Sequence, residues 1–491
     1  MSRLEPHDLV GPEFGGRLEE PRAEPASSGS LAVEPRPYPF SLSQRVLCDL
    51  VGLVDFAAVL LTAQLVAWLA VHNGVLQAGE SAGLMTIAPI VAIIAALAFR
   101  TCALYEIRTL IQVSRQSSLL LIVWTILSIV ASVSLLGLYS GPPFLMLAWL
   151  SLTPAVLISA RAGIALLFRA LLDKGPLARR VALIGSPTAI GRAAHVVNEV
   201  RLCYLAGVFE VPAEDSGQAI DEIIFAVRNG AFDDAIVLVP TLAEAGFERL
   251  VQTLATLPLR VSLLPVAGLF DVGEIVPGFT QSVSVTVSEK PVRGWAIVLK
   301  TGLDFLAALA LLAVFGLPML ILGALIRLES EGPAIFRQHR SGRGGTVFTL
   351  YKFRSMYVCE DGPRIRQAER NDPRVTRIGR IIRKLSLDEL PQILNVLRGE
   401  MSIVGPRPHA VAHDYHYGAL VPRYWERFRV KPGITGWAQV NGYRGETKTL
   451  DEMAERIQYD VEYADDYSIW RDLWIMVMTP WTLVMRRDKA Y

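Results

Sequence analysis

Charge is what this sequence has least of: 19% of its 491 residues are charged, against 52% hydrophobic. So little charge excludes a disordered chain and argues against an ordinary soluble one. A net charge of +1 removes the electrostatic case for nucleic acid as a partner. Cysteine is scarce too. Cys48, Cys102, Cys203 and Cys359 lie far apart with no Cys-x-x-Cys pair, which argues against a disulfide framework and a cysteine-based zinc site. The first residues lack the basic start and early apolar core of a secretory signal. They are rich in Pro, Glu, Gly and Ser, so residues 1–44 are expected to form a disordered cytoplasmic tail.

What the chain does have is long apolar runs. Four lie near 47–71, 82–104, 117–139 and 143–168, each about the 20 residues that cross a hydrocarbon layer. They predict four transmembrane helices within 45–172. Asp49, Asp55 and Arg161 sit toward run ends, and no ion path is evident. Arg45, Arg100, Arg108, Arg115, Arg169, Lys174, Arg179 and Arg180 gather on alternate links, while the links at 72–81 and 140–142 have no Lys or Arg. Positive charge collects on the cytoplasmic side, so the N-terminus and everything just after residue 170 are expected there.

Residues 179–290 alternate between strand and helix. Apolar runs at 181–185, 203–210, 234–239 and 259–264 read as strands, with helical stretches from Gly191 to Val200 and at 217–228 and 243–256. This pattern predicts a small parallel α/β sheet. The first turn, Gly185 to Gly191, resembles a Rossmann glycine loop but has Pro187 where the second glycine should be. Proline cannot donate an N–H to a pyrophosphate. A structural or regulatory domain that binds no NAD is expected.

A fifth apolar run, Phe305–Ile326, has a spanning length. Yet Lys300 precedes it, and fourteen Lys/Arg against six Asp/Glu occupy Arg327–Lys384. Both flanks therefore read as cytoplasmic. Pro318, close to Gly316, can bend the helix, so a re-entrant helix over 301–327, broken at Pro318, is expected.

The chemistry concentrates between 330 and 450. Asp388-Glu389 follows Ser386, which with Glu389 has the spacing of a capping box. Pro391 belongs in a helix's first turn, so the acidic pair sits at or just before a helix N-terminus. That position keeps Asp388 ionised, and an ionised carboxylate can act as a covalent nucleophile. If it attacks a phosphate, cations must offset the charge: Lys352, Arg354, Arg383 and Arg407 are candidates, with Mg²⁺ as the natural addition. The same basic stretch could instead attract anionic headgroups, and Arg366, Arg370 and Arg374 read as surface charges. The Gly/Pro stretch 432–436 reads as a loop, either an ordinary tight turn or one whose backbone approaches a nucleotide. His409, His413 and His416 have helix-face spacing, but with no cysteine near they read as surface histidines rather than zinc ligands.

Lys352-Phe-Arg354, Ser386-Leu-Asp-Glu-Leu-Pro-Gln392, Gly405-Pro-Arg-Pro408 and Pro432-Gly-Ile-Thr-Gly-Trp-Ala-Gln-Val-Asn-Gly442 together resemble the bacterial sugar transferase family, the monotopic polyprenyl-phosphate phosphoglycosyl transferases. The match covers about 295–485, and the whole layout looks like the family's long form. The stretch Asn441–Leu450 with Tyr459–Tyr463 looks most like undecaprenyl-phosphate glucose phosphotransferases of exopolysaccharide pathways. The resemblance implies that Asp388 attacks the β-phosphorus of a UDP-sugar, UDP-glucose by analogy and UDP-galactose next. UMP leaves, and undecaprenyl phosphate then takes the sugar phosphate. It implies Glu389 as an aid, on Mg²⁺ shared with Asp388 or on a reactant. Arg383 and Arg407 match positions near the phosphates, and Pro432, Gly433, Thr435, Gly436 and Gln439 the nucleotide region. Leu385 departs from the threonine of many relatives. The long form implies a homodimer.

The fold expected is a membrane protein with a four-helix transmembrane bundle, a cytoplasmic Rossmann-like α/β domain over 179–290, and a mostly helical catalytic domain over 295–491 on the re-entrant helix. Ile469–Met485, with Trp470, Trp474 and Trp481, is expected to dock at the membrane interface. A membrane-attached nucleotide-sugar dehydratase or epimerase is a rival reading. It needs an intact dinucleotide loop and a Tyr-x-x-x-Lys pair, and the chain has no such pair. A non-catalytic scaffold or sensor is a third reading, against which Asp388, Glu389, Arg383 and Arg407 all stand.

Overall fold

Four long apolar helices pack with their small residues inward. The computed structural model describes residues 43–485 except 76, 78–80, 135–141, 174–176, 178, 188, 191–202, 212–216, 240–244, 266–284, 358–371, 446 and 448. Most of the expected tail, the helix opening at Gly191, and Arg366 and Arg370 therefore lie outside the described residues. The helices are α1 (Gln44–His72), α2 (Ala82–Thr101), α4 (Val113–Ser134) and α5 (Pro143–Asp173), with a short α3 (Ile107–Leu110) in the link after α2. Ala63 of α1 and Ala88, Ala92 and Ala95 of α2 are buried, which lets the backbones approach closely. Trp124 and Trp149 are buried but satisfied, their indole N–H groups donating to Leu150 O (2.9 Å) and Val59 O (3.1 Å). The outer faces expose Leu61, Leu97, Ile122, Ile129 and Leu166, an apolar surface suited to lipid. With the 35-residue helix described below, five helices among the described residues are long and apolar enough to cross a membrane.

Asp55 and Arg161, read above only as run-end charges, form a buried ion pair of 2.5 Å, with side chains 2% and 1% exposed. Arg161 also donates to Leu104 O (3.1 Å) and lies over the rings of Phe99 and Tyr105. Removing one partner strands a buried charge, at about 3–5 kcal/mol. Asp55→Asn is therefore expected to lower the melting temperature of the detergent-solubilised protein sharply. An unchanged melting temperature would show that the pair does not hold α1 to α5.

A five-stranded mixed sheet follows: β1 (Arg179–Gly185), β2 (Cys203–Glu210), β3 (Asp234–Val239), β4 (Arg260–Pro265) and β5 (Val285–Ser288), ordered β2-β1-β3-β4-β5. β1 to β4 are parallel, as their continuous apolar runs require. The antiparallel edge strand β5 was not evident in the sequence, because only four residues show its pattern. Helices α6 (Gly217–Arg228) and α7 (Ala245–Ala255) bury Ile223, Val227, Leu250 and Leu254 against it.

Helix α8 runs from Trp295 to Glu329 with Pro318 inside it. Helical backbone lies on both sides of Pro318, and the helix extends beyond 301–327 at both ends. Proline forfeits one hydrogen bond and crowds the preceding turn, but here the helix continues through it. Both ends hold the same folded body. Near the start, Asp304 accepts from Ser402 Oγ (2.9 Å) and Ile403 N (3.0 Å), and Lys300 donates to Val404 O (2.9 Å). At the far end, Glu329 accepts from Ile378 N (3.0 Å), and Ile326 packs on Phe353 and Ile382. Leu306, Val314, Leu317 and Leu320 between them are exposed.

That body comprises the antiparallel hairpin β6 (Ile335–Ser341) and β7 (Val347–Phe353), α9 (Arg377–Lys384), α10 (Gln392–Leu397), β8 (Ser402–Val404), α11 (Val411–Leu420), β9 (Gly433–Thr435), α12 (Trp437–Val440), α13 (Leu450–Asp465) and α14 (Ile469–Met485). In α14 the break in the apolar run is explained. Asp472 points inward, fully buried against Lys300 (2.7 Å) and Tyr463 OH (2.7 Å), while Trp470, Trp474 and Trp481 face outward.

Candidate active site

Pro391 immediately precedes α10, and a 3₁₀ turn over Leu387–Glu389 places both carboxylates just before it. This is where proline's lack of an N–H costs nothing, and it is the placement the sequence predicts. The capping box is not formed. Ser386 adopts a left-handed conformation (φ 56°) and makes no side-chain cap. Its hydroxyl instead accepts from Arg444 Nη2 (2.9 Å), an arginine the sequence reading passed over.

Glu389 is held by two cations. Arg407 grips it as a fork, with Nη1 3.0 Å from Oε2 and Nη2 bonded to Oε1, and Lys352 Nζ lies 3.5 Å from Oε1. Burial alone would raise the Glu389 pKa, but the Arg407 and Lys352 charges outweigh it and hold the carboxyl well below its usual range. Burial also lowers the Lys352 pKa, against the pull of Glu389.

Asp388 is different. No hydrogen bond or ion pair from the described residues ties down its carboxylate. Burial and then the neighbouring Glu389 charge push its pKa up to about 6, against the opposing pull of Lys352, Arg407 and Arg383. The site thus holds one locked carboxylate and one available one. Arg383, in the last turn of α9, is close enough to act on Asp388 through its charge.

The groups are set in place from behind. Asn395, fully buried, donates to Thr349 O (2.7 Å) and Glu400 Oε2 (2.7 Å) and accepts from Tyr351 N (3.1 Å). It thereby fixes α10 to β7 beside Lys352. Arg427, paired with Asp460 at 2.8 Å, donates to Arg407 O (2.5 Å) and fixes that loop. His409 precedes α11 rather than sharing its face with His413 and His416. It is buried against Tyr424 OH (2.8 Å), and burial drives its pKa well down, so it is a neutral packing group. Among the described residues no cluster of three or more His, Cys, Asp or Glu could hold a metal by itself.

Two expectations are corrected. Arg354 does not reach the acidic pair. It is 6% exposed and caps the end of α8, donating to Ser330 O (2.6 Å), Ser330 Oγ (2.9 Å) and Glu331 O. Helix C-termini carry unsatisfied carbonyls and partial negative charge, and these capture it. Within the 432–436 stretch, read as a loop, Gly433–Thr435 is instead strand β9, and the stretch pairs with β8 through Ser402 N–Pro432 O (2.9 Å) and Gly405 N–Thr435 O (2.8 Å). Its glycines admit protein backbone. A Cβ on Gly433 would lie 2.1 Å from Gly405 N, and one on Gly436 2.2 Å from Gly405 O. Thr435 Oγ1 pairs with Thr479 Oγ1 of α14 (2.7 Å). Pro432, Gly433, Thr435 and Gly436 therefore brace the Gly405-Pro-Arg407 segment. Gln439 is buried, and among the described residues its Oε1 has no partner.

The comparisons with known proteins agree on one family. The model described as bacterial sugar transferase matches residues 295–486. A Caulobacter vibrioides protein named UDP-glucose:undecaprenyl-phosphate glucose-1-phosphate transferase is 54% identical over 193 residues, 39% of this chain and 72% of that one. An Escherichia coli protein of the same name is 35% identical over 380 residues, 75% of this chain and 82% of that one. An Aeromonas hydrophila protein named for N-acetylgalactosamine phosphate transfer is 42% identical over 187 residues, 38% of this chain and 44% of its own length.

Proposed function

This chain belongs to the bacterial sugar transferase family, and from that premise we propose that it transfers glucose 1-phosphate from UDP-glucose to undecaprenyl phosphate with release of UMP. The observation that carries the mechanism is the asymmetry of the acidic pair, with Glu389 locked by Arg407 and Lys352 and Asp388 untethered. Asp388 attacks the β-phosphorus. The bond from that phosphorus to the bridging oxygen breaks, and the electron pair leaves with UMP. A phosphate oxygen of undecaprenyl phosphate then attacks the sugar-phosphoryl aspartate, restoring the carboxylate and yielding a diphosphate-linked lipid. Lys352, Arg407 and Arg383 offset the charge of two anions meeting.

The donor set suits Mg²⁺, which takes one or two carboxylates and completes its shell with water and substrate phosphate. Asp388 offers unengaged oxygens, and Glu389 is adjacent. Asp388, with Glu389 beside it, would hold the ion, which when bound would supply charge neutralisation on the diphosphate.

We place the catalytic part, the sheet domain and the N-terminus on the cytoplasmic face of the inner membrane, with α1, α2, α4 and α5 as a spanning four-helix bundle. Helix α8 is re-entrant in this reading. What supports that is the attachment of both its ends to one folded body and the run of positive charge on both flanks. The outward tryptophans of α14 dock it at the interface, beside the lipid acceptor. The sheet domain is structural or regulatory, and the protein works as a homodimer that starts an exopolysaccharide repeat unit.

Purified protein with UDP-glucose, undecaprenyl phosphate and Mg²⁺ is expected to release UMP. Release of UDP would mean plain glycosyl transfer and overturn the mechanism. UMP released faster from UDP-galactose would change the sugar alone.

A further inference from the structure

A cavity of about 930 Å³ lies between one end of the apolar helices and the mixed sheet. Arg45, Arg100 and Arg108 line it from α1, α2 and α3, and Arg179 and Arg260 from the first residues of β1 and β4. Strand starts form this wall, the edge opposite to the one where parallel α/β sheets take nucleotides. The cavity is therefore unrelated to the Gly185–Pro187 turn. It shares no lining residue with the Asp388 site.

Five guanidinium groups here meet three carboxylates, Asp49, Glu106 and Asp234. Asp234 is taken by Arg179 at 2.6 Å, and Asp49 accepts from Trp295 Nε1 at 2.9 Å. The side chains of Arg45, Arg100 and Arg108 have no ion pair or hydrogen bond from the described residues. Arg260 spends Nη2 on Thr286 Oγ1 (3.0 Å), while its buried Nε has no acceptor among the described residues. Arginines at helix ends alone would be ordinary headgroup contacts. The sheet closes a second wall over them, and converging cations in a partly walled space repel unless an anion joins them. Ala103, Tyr105, Ile107, Val181 and Ile236 add apolar wall to the same cavity.

We propose that this cavity is a second binding site, for a phosphate-bearing anion gripped by Arg45, Arg100, Arg108 and Arg260. Guanidinium groups bind phosphate oxygens through paired N–H donors. The phosphate belongs to an anionic phospholipid headgroup or to a soluble diphosphate, and both present the same oxygens.

The test uses the full-length protein in detergent, with phosphatidylglycerol in one arm and inorganic pyrophosphate in the other. Binding is read by native mass spectrometry against phosphatidylcholine and by titration calorimetry. The wild type is expected to bind at least one probe, and the Arg100→Gln/Arg108→Gln variant to bind that probe at least tenfold more weakly. Arg327→Gln, an exposed arginine near the end of α8 and outside the cavity, should bind as wild type. Phosphatidylglycerol alone responding identifies a lipid site, and pyrophosphate alone a soluble one. Arg260→Gln, on the sheet wall, repeats the test if the double variant does not fold. Equal binding of both probes by wild type and the folded variants overturns the proposal, as does an equal loss in Arg327→Gln.

Discussion

Replacing Asp388 by asparagine is expected to cut UMP release from UDP-glucose by on the order of 10³-fold or more, the scale of loss when a covalent nucleophile is removed. The amide keeps the shape and loses the attacking oxygen's charge. The fold should not suffer. The Asp388 pKa stands at about 6, above its ordinary 3.8, so between those values the native state binds more protons than the unfolded one. Stability therefore falls as pH rises through that window, and ionised Asp388 opposes folding at neutral pH. Asp388→Asn removes that opposition and should melt at or above the wild-type temperature. Lost activity with a lowered melting temperature would leave unfolding as the cause and sink the assignment.

The same shift sets a pH dependence. The attacking form is the deprotonated one, so kcat/KM for UMP release should be level at neutral pH and bend near pH 6. Below the bend it should fall about tenfold per pH unit. Glu389, held ionised by Arg407 and Lys352, contributes no bend in this range. A profile level down to pH 5 would show that burial and Glu389 do not raise the Asp388 pKa in the working enzyme.

Gly433→Ala is the second large effect. The added Cβ meets Gly405 N at 2.1 Å, Thr435 O at 2.5 Å and Gly405 Cα at 2.7 Å. All three are backbone atoms, so no side chain can rotate away. Strand β9 must part from β8, and the segment carrying Arg407 moves with it. A loss of about 3 kcal/mol or more is expected, with activity lost below the melting transition as Glu389 loses its partner. Gly302→Ala in α8 is the control. Its Cβ meets nothing within 4 Å, and alanine in a helix interior gains about 1 kcal/mol over glycine. If Gly433→Ala melts like Gly302→Ala, β9 does not brace the site.

Some of this protein was legible in the sequence because its cause is local. Apolar runs of spanning length became α1, α2, α4 and α5, since length and hydropathy act residue by residue. The uninterrupted apolar stretches became β1 to β4. Pro391, able to start a helix but not to continue one, put Asp388 and Glu389 at the foot of α10. The motif order alone was enough to indicate the family. The rest depended on which distant segments meet. Asp55 and Arg161 are 106 residues apart, and nothing near either marks it as the other's partner. Arg354 shares a tripeptide with Lys352, and two residues apart on a strand they would share a face, but the strand β7 ends at Phe353 and Arg354 lies beyond it. One therefore reaches Glu389 and the other the end of α8. Gly433 and Gly436 announced a close approach without saying to what, and it proved to be the chain's own Gly405. Local pattern determined the elements and the identity of the reactive pair. Tertiary structure alone decided which carboxylate is held by Arg407 and which is left available, because that depends on where β7, β8 and α10 converge.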